Sequence, residues 1–326
     1  MRRAAVFWIV ASLALVAAAI LGVALGSVDL APGDVLRAIA GRGDETTLAI
    51  VRGLRLPRVA LAAVVGAGLG LSGAALQGTL RNPLAEPYLL GVSGGAAVGA
   101  VVAVSLGLMA GAGLPLAAFA GAAAAVSVAI GVARAAGGRG DPRVLLMAGV
   151  IVGAFANAAI MVLLAGAPAD TVRGALWWMM GSVALATWPQ VLSLSLYVVA
   201  GALALLRAAR EIDVLSLGEE PAAALGVAVE RAGTRVFLVA SFVAAATVAA
   251  AGLVGFVGLV VPHLVRSAGI RRHRLLLPGS ALAGAALVVV ADLLARTVRA
   301  PAELPLGAVT ALVGVPFFLV QLRRLA

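Results

Sequence analysis

The chain has 326 residues, of which 63% are hydrophobic and 12% are charged. A soluble globular protein carries roughly 25% charged residues, so this composition excludes that class and favours a membrane protein. All 24 basic residues are arginine. Without lysine the chain cannot form a Walker A phosphate-binding loop, so any ATP-driven work has to be powered by another polypeptide. The lack of cysteine excludes disulfides and thiolate metal sites.

Apolar stretches recur along the whole chain, and most are close to the roughly 20 residues that a transmembrane helix needs. They are continuous and do not alternate with period two, which argues against a β-barrel. The predicted fold class is an all-α polytopic membrane protein, with residues 1–326 forming a single transmembrane domain. About ten spans are predicted, at residues 4–26, 57–79, 89–110, 114–134, 143–166, 188–207, 234–254, 255–268, 275–295 and 305–322.

Two of these spans have less certain limits. Residues 4–26 could also be read as a signal peptide, but the apolar run is long and has no clear cleavage site. The eighth span is short and is interrupted by Gly255, Gly258 and Pro262, which leaves its ends poorly defined.

The arginines lie mainly in short connections between the spans. If the N-terminus is cytoplasmic, 16 of them fall on the cytoplasmic side and 8 on the other. This bias predicts that both termini are cytoplasmic. The net charge of +10 therefore reads as a topology signal, and a nucleic-acid partner is not expected. Eight outer arginines are many to translocate, which indicates that they have a role.

Two connections on the predicted outer side are longer than a turn. Residues 27–56 carry several acidic side chains, and residues 168–187 contain Trp177 and Trp178. The tryptophans predict a helix lying in the membrane interface.

The connection at residues 208–233 is predicted to be cytoplasmic and to hold two short helices. Asp213 or Ser216 could cap the first. Glu219, Glu220 and Pro221 suit the first turn of the second, which would end at Gly226. Such helices on the cytoplasmic surface would form a docking element and not a span.

Three positions could carry chemistry. Ser93 lies in a Gly-x-Ser-Gly pattern that intramembrane serine proteases share, but no histidine lies at a matching depth. Asp292 is an acid inside a predicted span, and Arg296 four residues later could neutralise it along one helix face. His263 has no partner ligand nearby in sequence, so it is a poor metal site, and we expect it to cap a helix or to contact a partner.

A set of motifs in order along nearly the whole chain resembles the FecCD-type permeases. These are the membrane subunits of ABC importers for iron-siderophores, haem and vitamin B12, and the vitamin B12 permeases are especially similar. The motifs are Arg55-Leu-Pro-Arg58, Leu71-Ser-Gly-Ala-Ala-Leu-Gln77, Arg81-Asn-Pro-Leu-Ala-Glu-Pro87, Leu90-Gly-Val-Ser-Gly-Gly95, Trp178-Met-Met-Gly181, Gly255-Phe-Val-Gly-Leu-Val-Val-Pro-His263, Leu277-Pro-Gly279, Ala291-Asp292 and Ala302-Glu-Leu-Pro-Leu-Gly307.

The resemblance implies three sets of functional residues. Carboxylates of a substrate-binding protein are expected to dock on Arg55, Arg58 and Arg296. Coupling helices at about residues 213–226 are expected to contact the ATPase. The residues assigned to this contact are Leu217, Gly218, Glu219, Glu220, Ala223 and Gly226. A cytoplasmic gate is expected at Asn82, Pro83 and Leu84 and at Gly140, Asp141 and Pro142. At Gly140–Pro142 the chain departs from the vitamin B12 permeases, which resemble it elsewhere but carry small hydroxyl residues there.

The resemblance also implies the partners. We expect a homodimer in the cytoplasmic (inner) membrane of a bacterium or archaeon. It would contact lipid, two cytoplasmic ABC ATPases and a periplasmic or lipoprotein binding protein. No cofactor is expected on this chain, because ATP and Mg²⁺ belong to the ATPase. The function implied is a transport subunit, not an enzyme, that imports a large metal chelate. The main alternative is a proton-coupled secondary transporter.

Overall fold

The computed structural model describes residues 2–26, 28–108, 111–138 and 141–323, and in these ranges the chain forms fifteen α-helices and no β-strand. The helices are α1 (Arg2–Ala24), α2 (Pro32–Ile39), α3 (Glu45–Leu48), α4 (Leu56–Thr79), α5 (Val92–Ser105), α6 (Gly113–Ala135), α7 (Pro142–Ala165), α8 (Ala169–Met179), α9 (Trp188–Arg207), α10 (Ala209–Leu215), α11 (Glu219–Ala224), α12 (Val229–Ala251), α13 (Val257–Ser267), α14 (His273–Thr297) and α15 (Leu306–Arg323). A π-helical stretch, Ala49–Arg55, runs directly into α4, and a 3₁₀ turn, Pro87–Leu90, precedes α5.

Each of the ten predicted spans contains one helix of the described residues. Within the described ranges seven helices are long and apolar enough to cross a membrane: α1, α4 with the π-helical stretch, α6, α7, α9, α12 and α14. Three more, α5, α13 and α15, are apolar but shorter. This confirms the predicted all-helical polytopic fold.

The third span is much shorter than predicted. The apolar run suggested residues 89–110, whereas α5 covers only Val92–Ser105. Gly91 and Gly107 have φ of 79° and 73°, so glycines in the left-handed region stop the helix at both ends. Hydropathy alone cannot separate the apolar residues of these turns from those of the helix.

α4 is the central helix of the bundle and packs on α9, α12, α13 and α14. Its C-terminal half, residues 68–79, is buried throughout. A Cβ atom added at Gly66 would lie 2.1 Å from the carbonyl oxygen of Gly284 in α14. The backbones therefore approach as closely as small residues allow, which is how membrane helices gain packing energy without a hydrophobic drive between them.

α12 and α13 are separated by a buried break at residues 252–256. Phe256 has φ of 67°, and its amide donates to the Glu86 carboxylate at 2.6 Å. The amide of Val254 donates to the Tyr88 hydroxyl. Gly258 and Pro262, which were expected to interrupt this region, lie inside α13. Glu86 and Tyr88, in the connection between α4 and α5, therefore accept hydrogen bonds from backbone amides that the break leaves without helical partners.

The predicted cytoplasmic connection does form two short helices, α10 and α11. The expected capping role of Asp213 is wrong, since this residue lies inside α10. Ser216 follows α10 as its C-terminal residue, and its hydroxyl donates to the Asp213 carbonyl at 2.6 Å. The 168–187 connection contains α8, on which Trp177 is exposed.

Candidate functional site

Arg58, in the first turn of α4, is the centre of an ion-pair cluster. Its Nε and Nη2 donate to Oδ1 of Asp292 in α14 at 3.0 and 2.8 Å. Its Nη1 and Nη2 donate to the carboxylate oxygens of Glu303 at 2.6 and 3.0 Å. The side chains of Arg58 and Asp292 are 12% and 3% exposed, whereas that of Glu303 is 36% exposed. The guanidinium therefore joins a buried carboxylate to one at the surface.

Arg296 extends this cluster along α14. Its Nε lies 3.4 Å from Oδ2 of Asp292, so the ion pair expected from the four-residue spacing is present. It is the weaker of the two pairs, because Arg58 approaches Asp292 more closely and with two nitrogens. Sequence spacing could show a neighbour on the same helix but not this partner, which lies 234 positions away.

Arg55 and Arg296 hold the C-terminal end of α1. Arg55 Nη1 donates to the carbonyl oxygens of Val23 and Ala24 at 2.9 and 2.7 Å. Arg296 Nη2 donates to that of Gly22 at 2.8 Å. The last carbonyls of a helix have no partner within it and carry partial negative charge, so cations are favoured there. The two arginines thereby attach α1 to α4 and α14.

The structure therefore brings the three predicted docking arginines together, and all three are largely buried. Arg55 and Arg296 are each 5% exposed. Among the described residues no carboxylate lies within ion-pair distance of Arg55, whereas Arg58 has two. Their docking role stays a prediction. Glu303 is a surface residue that pairs with Arg58, and its motif, Ala302-Glu-Leu-Pro-Leu-Gly307, does not indicate this partner.

The predicted ATPase contact forms an exposed surface around α11. Leu217 and Leu225 are 63% and 64% exposed, while Ala222 on the opposite face is fully buried. Gly218 begins the helix with φ of 119°. The other residues assigned to this contact are also solvent-accessible, namely Glu219, Glu220, Ala223 and Gly226. Exposed leucines beside acidic side chains are typical of a surface that a partner covers.

Two polar contacts attach this element to the bundle. Glu219 accepts from Arg81 Nη2 at 2.7 Å, which links α11 to the end of α4. Asp213 Oδ1 accepts from the backbone amide of His273 at 3.0 Å and lies 2.6 Å from its Nδ1. Because His273 is the first residue of α14, a displacement of α10 would act directly on that helix.

The predicted gate residues form two separate turns. Asn82 Oδ1 accepts from the amide of Leu84 at 2.9 Å, and Leu84 is 45% exposed. Asp141 accepts from the amide of Arg143 at 2.8 Å and caps α7, which begins at Pro142. Pro83 lies in the exposed turn between Asn82 and Leu84. Gly140 lies outside the described residues, as do Arg139 and Arg324.

Ser93 and His263 both make contacts that stabilise the fold. The Ser93 hydroxyl donates to the carbonyl of Tyr88 at 3.1 Å, which fixes the turn before α5. The His263 ring lies edge-on to Phe318 at 6.0 Å, so it packs α13 against α15. The described residues contain no group of three acidic or histidine side chains that could hold a metal ion.

Comparison with known proteins identifies a transport family. Residues 14–324 match the FecCD transport family. The chain is 46% identical over 279 residues to the cobalamin import permease BtuC of Halobacterium salinarum, covering 86% of this chain and 74% of the relative. It is 42% identical over 271 residues to the hemin transport permease HmuU of Yersinia pestis, covering 82% and 80%.

A solved structure agrees with this result. An inward-facing putative metal-chelate type ABC transporter superposes with a TM-score of 0.85 and 28% identity, covering 98% of this chain and 99% of that one. The relatives are transport components and not enzymes, so the protease alternative for Ser93 falls away. The ten apolar helices and this kinship together make the chain a multi-pass membrane protein. The chain belongs to the FecCD transport family and is a permease of a metal-chelate type ABC importer.

Proposed function

We propose that this permease receives a large metal chelate from an extracytoplasmic binding protein and releases it into the cytoplasm. The observation that carries the delivery step is the Arg58 cluster, in which a buried Asp292 and a half-exposed Glu303 share one guanidinium. Asp292 holds Arg58 in place, while Glu303 occupies the face that a partner can reach.

On docking, the carboxylate that pairs with the exposed face of Arg58 is proposed to change. An acidic side chain of the binding protein takes the place of Glu303, and Arg55 and Arg296 add positive charge beside it. The fork geometry of arginine suits such a carboxylate. The exchange keeps the number of ion pairs constant, so it favours readily reversible docking.

The energy is proposed to enter through the surface around α11. The family implies ATPase partners and a permease dimer, and the chain itself has no lysine for a phosphate loop. ATP and Mg²⁺ bind to the ATPase, whose closure shifts α10 and α11. The shift reaches α4 through Arg81–Glu219 and α14 through Asp213–His273. The turns at Asn82–Leu84 and Asp141–Pro142 then open toward the cytoplasm.

The cargo path is proposed to lie between two copies of the chain. α7 is the most exposed of the long helices apart from α1, and Phe155, Met161 and Val162 are each about three-quarters exposed. An apolar path of this kind binds bulky cargo weakly, so selectivity rests with the binding protein. Haem, cobalamin and ferric siderophores are the candidates. Both termini are assigned to the cytoplasmic side of the inner membrane.

Reconstitution tests this function. Liposomes are prepared with the permease, its ATPase and its binding protein, with ATP on the ATPase side. Uptake of cobalamin, haem and a ferric siderophore is measured separately. Uptake of one of them should require all three proteins and ATP. Uptake by the permease alone under a proton gradient would overturn the proposal in favour of a secondary carrier. The engagement of Asp292 by two arginines already argues against that alternative.

A further inference from the structure

A cleft at the predicted cytoplasmic edge of the bundle is lined by four arginines. It lies between the end of α9, the start of α10 and the start of α14, and has a volume of about 810 Å³. Arg207 and Arg210 come from the first two helices. Arg272 and Arg274 flank the first residue of α14. The fold thus brings two pairs of arginines to one opening, although the pairs are more than 60 residues apart in sequence.

Positive charge is in excess in this cleft, because four arginines and one carboxylate line it. Within the described part of the chain, none of the four arginines makes an ion pair. Asp213 is the one carboxylate that lines the cleft, and it already accepts from the amide of His273 and lies beside its Nδ1. Four exposed arginines therefore line one opening where an anion of more than one charge could bind.

The other side of the cleft is apolar. Leu203, Leu206 and Pro278 complete its lining. The apolar surface continues up α9, where Leu196 and Val199 are 65% and 56% exposed. Because α9 is a candidate span, this surface faces the hydrocarbon core and the arginines lie at its polar edge. A ligand that fits both halves must combine a phosphate-like head with a hydrocarbon chain.

We propose that this cleft is a binding site for an anionic phospholipid. The headgroup phosphate pairs with Arg207, Arg210, Arg272 and Arg274, and an acyl chain lies along Leu203 and Leu206. Basic pockets between membrane helices are suited to such headgroups, each arginine adding attraction at the membrane surface. A soluble ATPase could reach the arginines but not the apolar half of the cleft, which lies at membrane depth.

Lipid binding to the full-length permease, purified and stripped of lipid, tests this site. Cardiolipin, phosphatidylglycerol and phosphatidylcholine are titrated separately and bound copies are counted by native mass spectrometry. We expect the two anionic lipids to bind more tightly than phosphatidylcholine. The double variants R207Q/R210Q and R272Q/R274Q should each weaken anionic lipid binding by about tenfold or more. A matched control, R134Q/R231Q, removes two exposed arginines from the ends of α6 and α12 and should bind like the wild type.

Several outcomes would overturn the proposal. These are equal binding of all three lipids, unchanged anionic lipid binding in both double variants, or equal competition by soluble glycerophosphate. Variants that keep lipid binding but lose the ATPase would instead assign the cleft to that partner. If a variant fails to fold, a photoactivatable phosphatidylglycerol can be cross-linked to the wild-type chain. Labelled peptides should then map to residues 203–210 and 272–278, and labelling elsewhere only would reject the site. Failure of the uptake experiment leaves these lipid results unaffected.

Discussion

Arg58 and Asp292 form a buried, two-nitrogen ion pair that joins the beginning of α4 to the last third of α14. Both side chains are nearly inaccessible. A buried pair of this kind adds little over an apolar pair, but removing one partner leaves the other charge uncompensated, which costs about 3–5 kcal/mol. The cluster is therefore a structural joint as well as the proposed docking point.

Neutralising the buried carboxylate should destabilise the permease. We expect Asp292→Asn to lower the thermal unfolding midpoint of the detergent-solubilised protein by several degrees, since it leaves Arg58 and Arg296 with one carboxylate between them. Asp34→Asn, which removes an exposed carboxylate paired with Arg37, is the control and should change the midpoint little. Equal midpoints for both variants would show that the buried pair has no special role.

Removing the surface carboxylate should strengthen docking. Glu303→Gln frees one face of Arg58 without leaving a buried charge, so we expect the binding protein to bind more tightly, by up to about tenfold. Glu303→Lys replaces the competing carboxylate with a positive charge, so it should also strengthen the binding of an acidic partner. Surface plasmon resonance with the permease in nanodiscs measures both affinities. Equal affinities for the wild type and the two variants would reject the carboxylate exchange. Charge reversal at Arg55 is a poorer test, because this residue also holds α1.

Changing the exposed surface near α11 should separate the permease from its ATPase. Leu217→Asp places a charge where an apolar side chain is 63% exposed, so the fold should survive while co-purification of the ATPase falls at least about tenfold. Leu185→Asp, at a site that is 93% exposed elsewhere, is the matched control. Full recovery of the ATPase with the Leu217 variant would contradict the assignment of this surface.

The contact of α4 with α14 should tolerate no added methyl group. Gly66→Ala would place Cβ 2.1 Å from the carbonyl oxygen of Gly284, so the helices must separate and the thermal midpoint should fall. Gly131→Ala, inside α6 with no neighbour within 4 Å, is the control. It should leave stability unchanged or raise it, because alanine favours a helix more than glycine does. Equal thermal midpoints for the two variants would mean that the close approach of α4 and α14 contributes little to stability.

Glu86 should make stability fall as the pH rises. Burial raises the pKa of this carboxyl, in the connection between α4 and α5, from 4.5 to about 7. The folded protein therefore holds the proton more tightly than the unfolded chain, and the associated stability is present below pH 4.5 and lost as the pH approaches about 7. Thermal midpoints between pH 4.5 and 8 should show this decline. Glu86→Gln should flatten it, and an identical decline in the variant would assign the effect to another group.

Much of the fold could be predicted because the bilayer imposes a simple rule on apolar length. The helices α6, α7 and α9 lie within about a residue of the predicted spans, since each is a full-length run bounded by polar or turn residues. The rule fails at α5 and at the break before α13. There the helix ends depend on glycine dihedral angles and on Glu86 and Tyr88, which satisfy amides from a distant part of the chain.

The candidate site also has features that the sequence predicts and features that only the fold shows. The three arginines could be located from motifs, but of their partners only Asp292, four residues before Arg296, could be predicted. Arg55 binds main-chain carbonyl groups, which leave no mark in sequence, and Glu303 lies 245 positions from Arg58. The four arginines of the cleft look in sequence like ordinary topology signals, and only the fold shows that they share one opening.

The attachment of α1 has a consequence for biosynthesis. Gly22 is held by a residue made 274 positions later, after most of the polypeptide has entered the membrane. Until Arg296 emerges from the ribosome, the first helix to be synthesised has an incompletely capped end. A chain truncated before that point keeps the Arg55 contact but lacks the Arg296 contact, so its first helix is held less firmly.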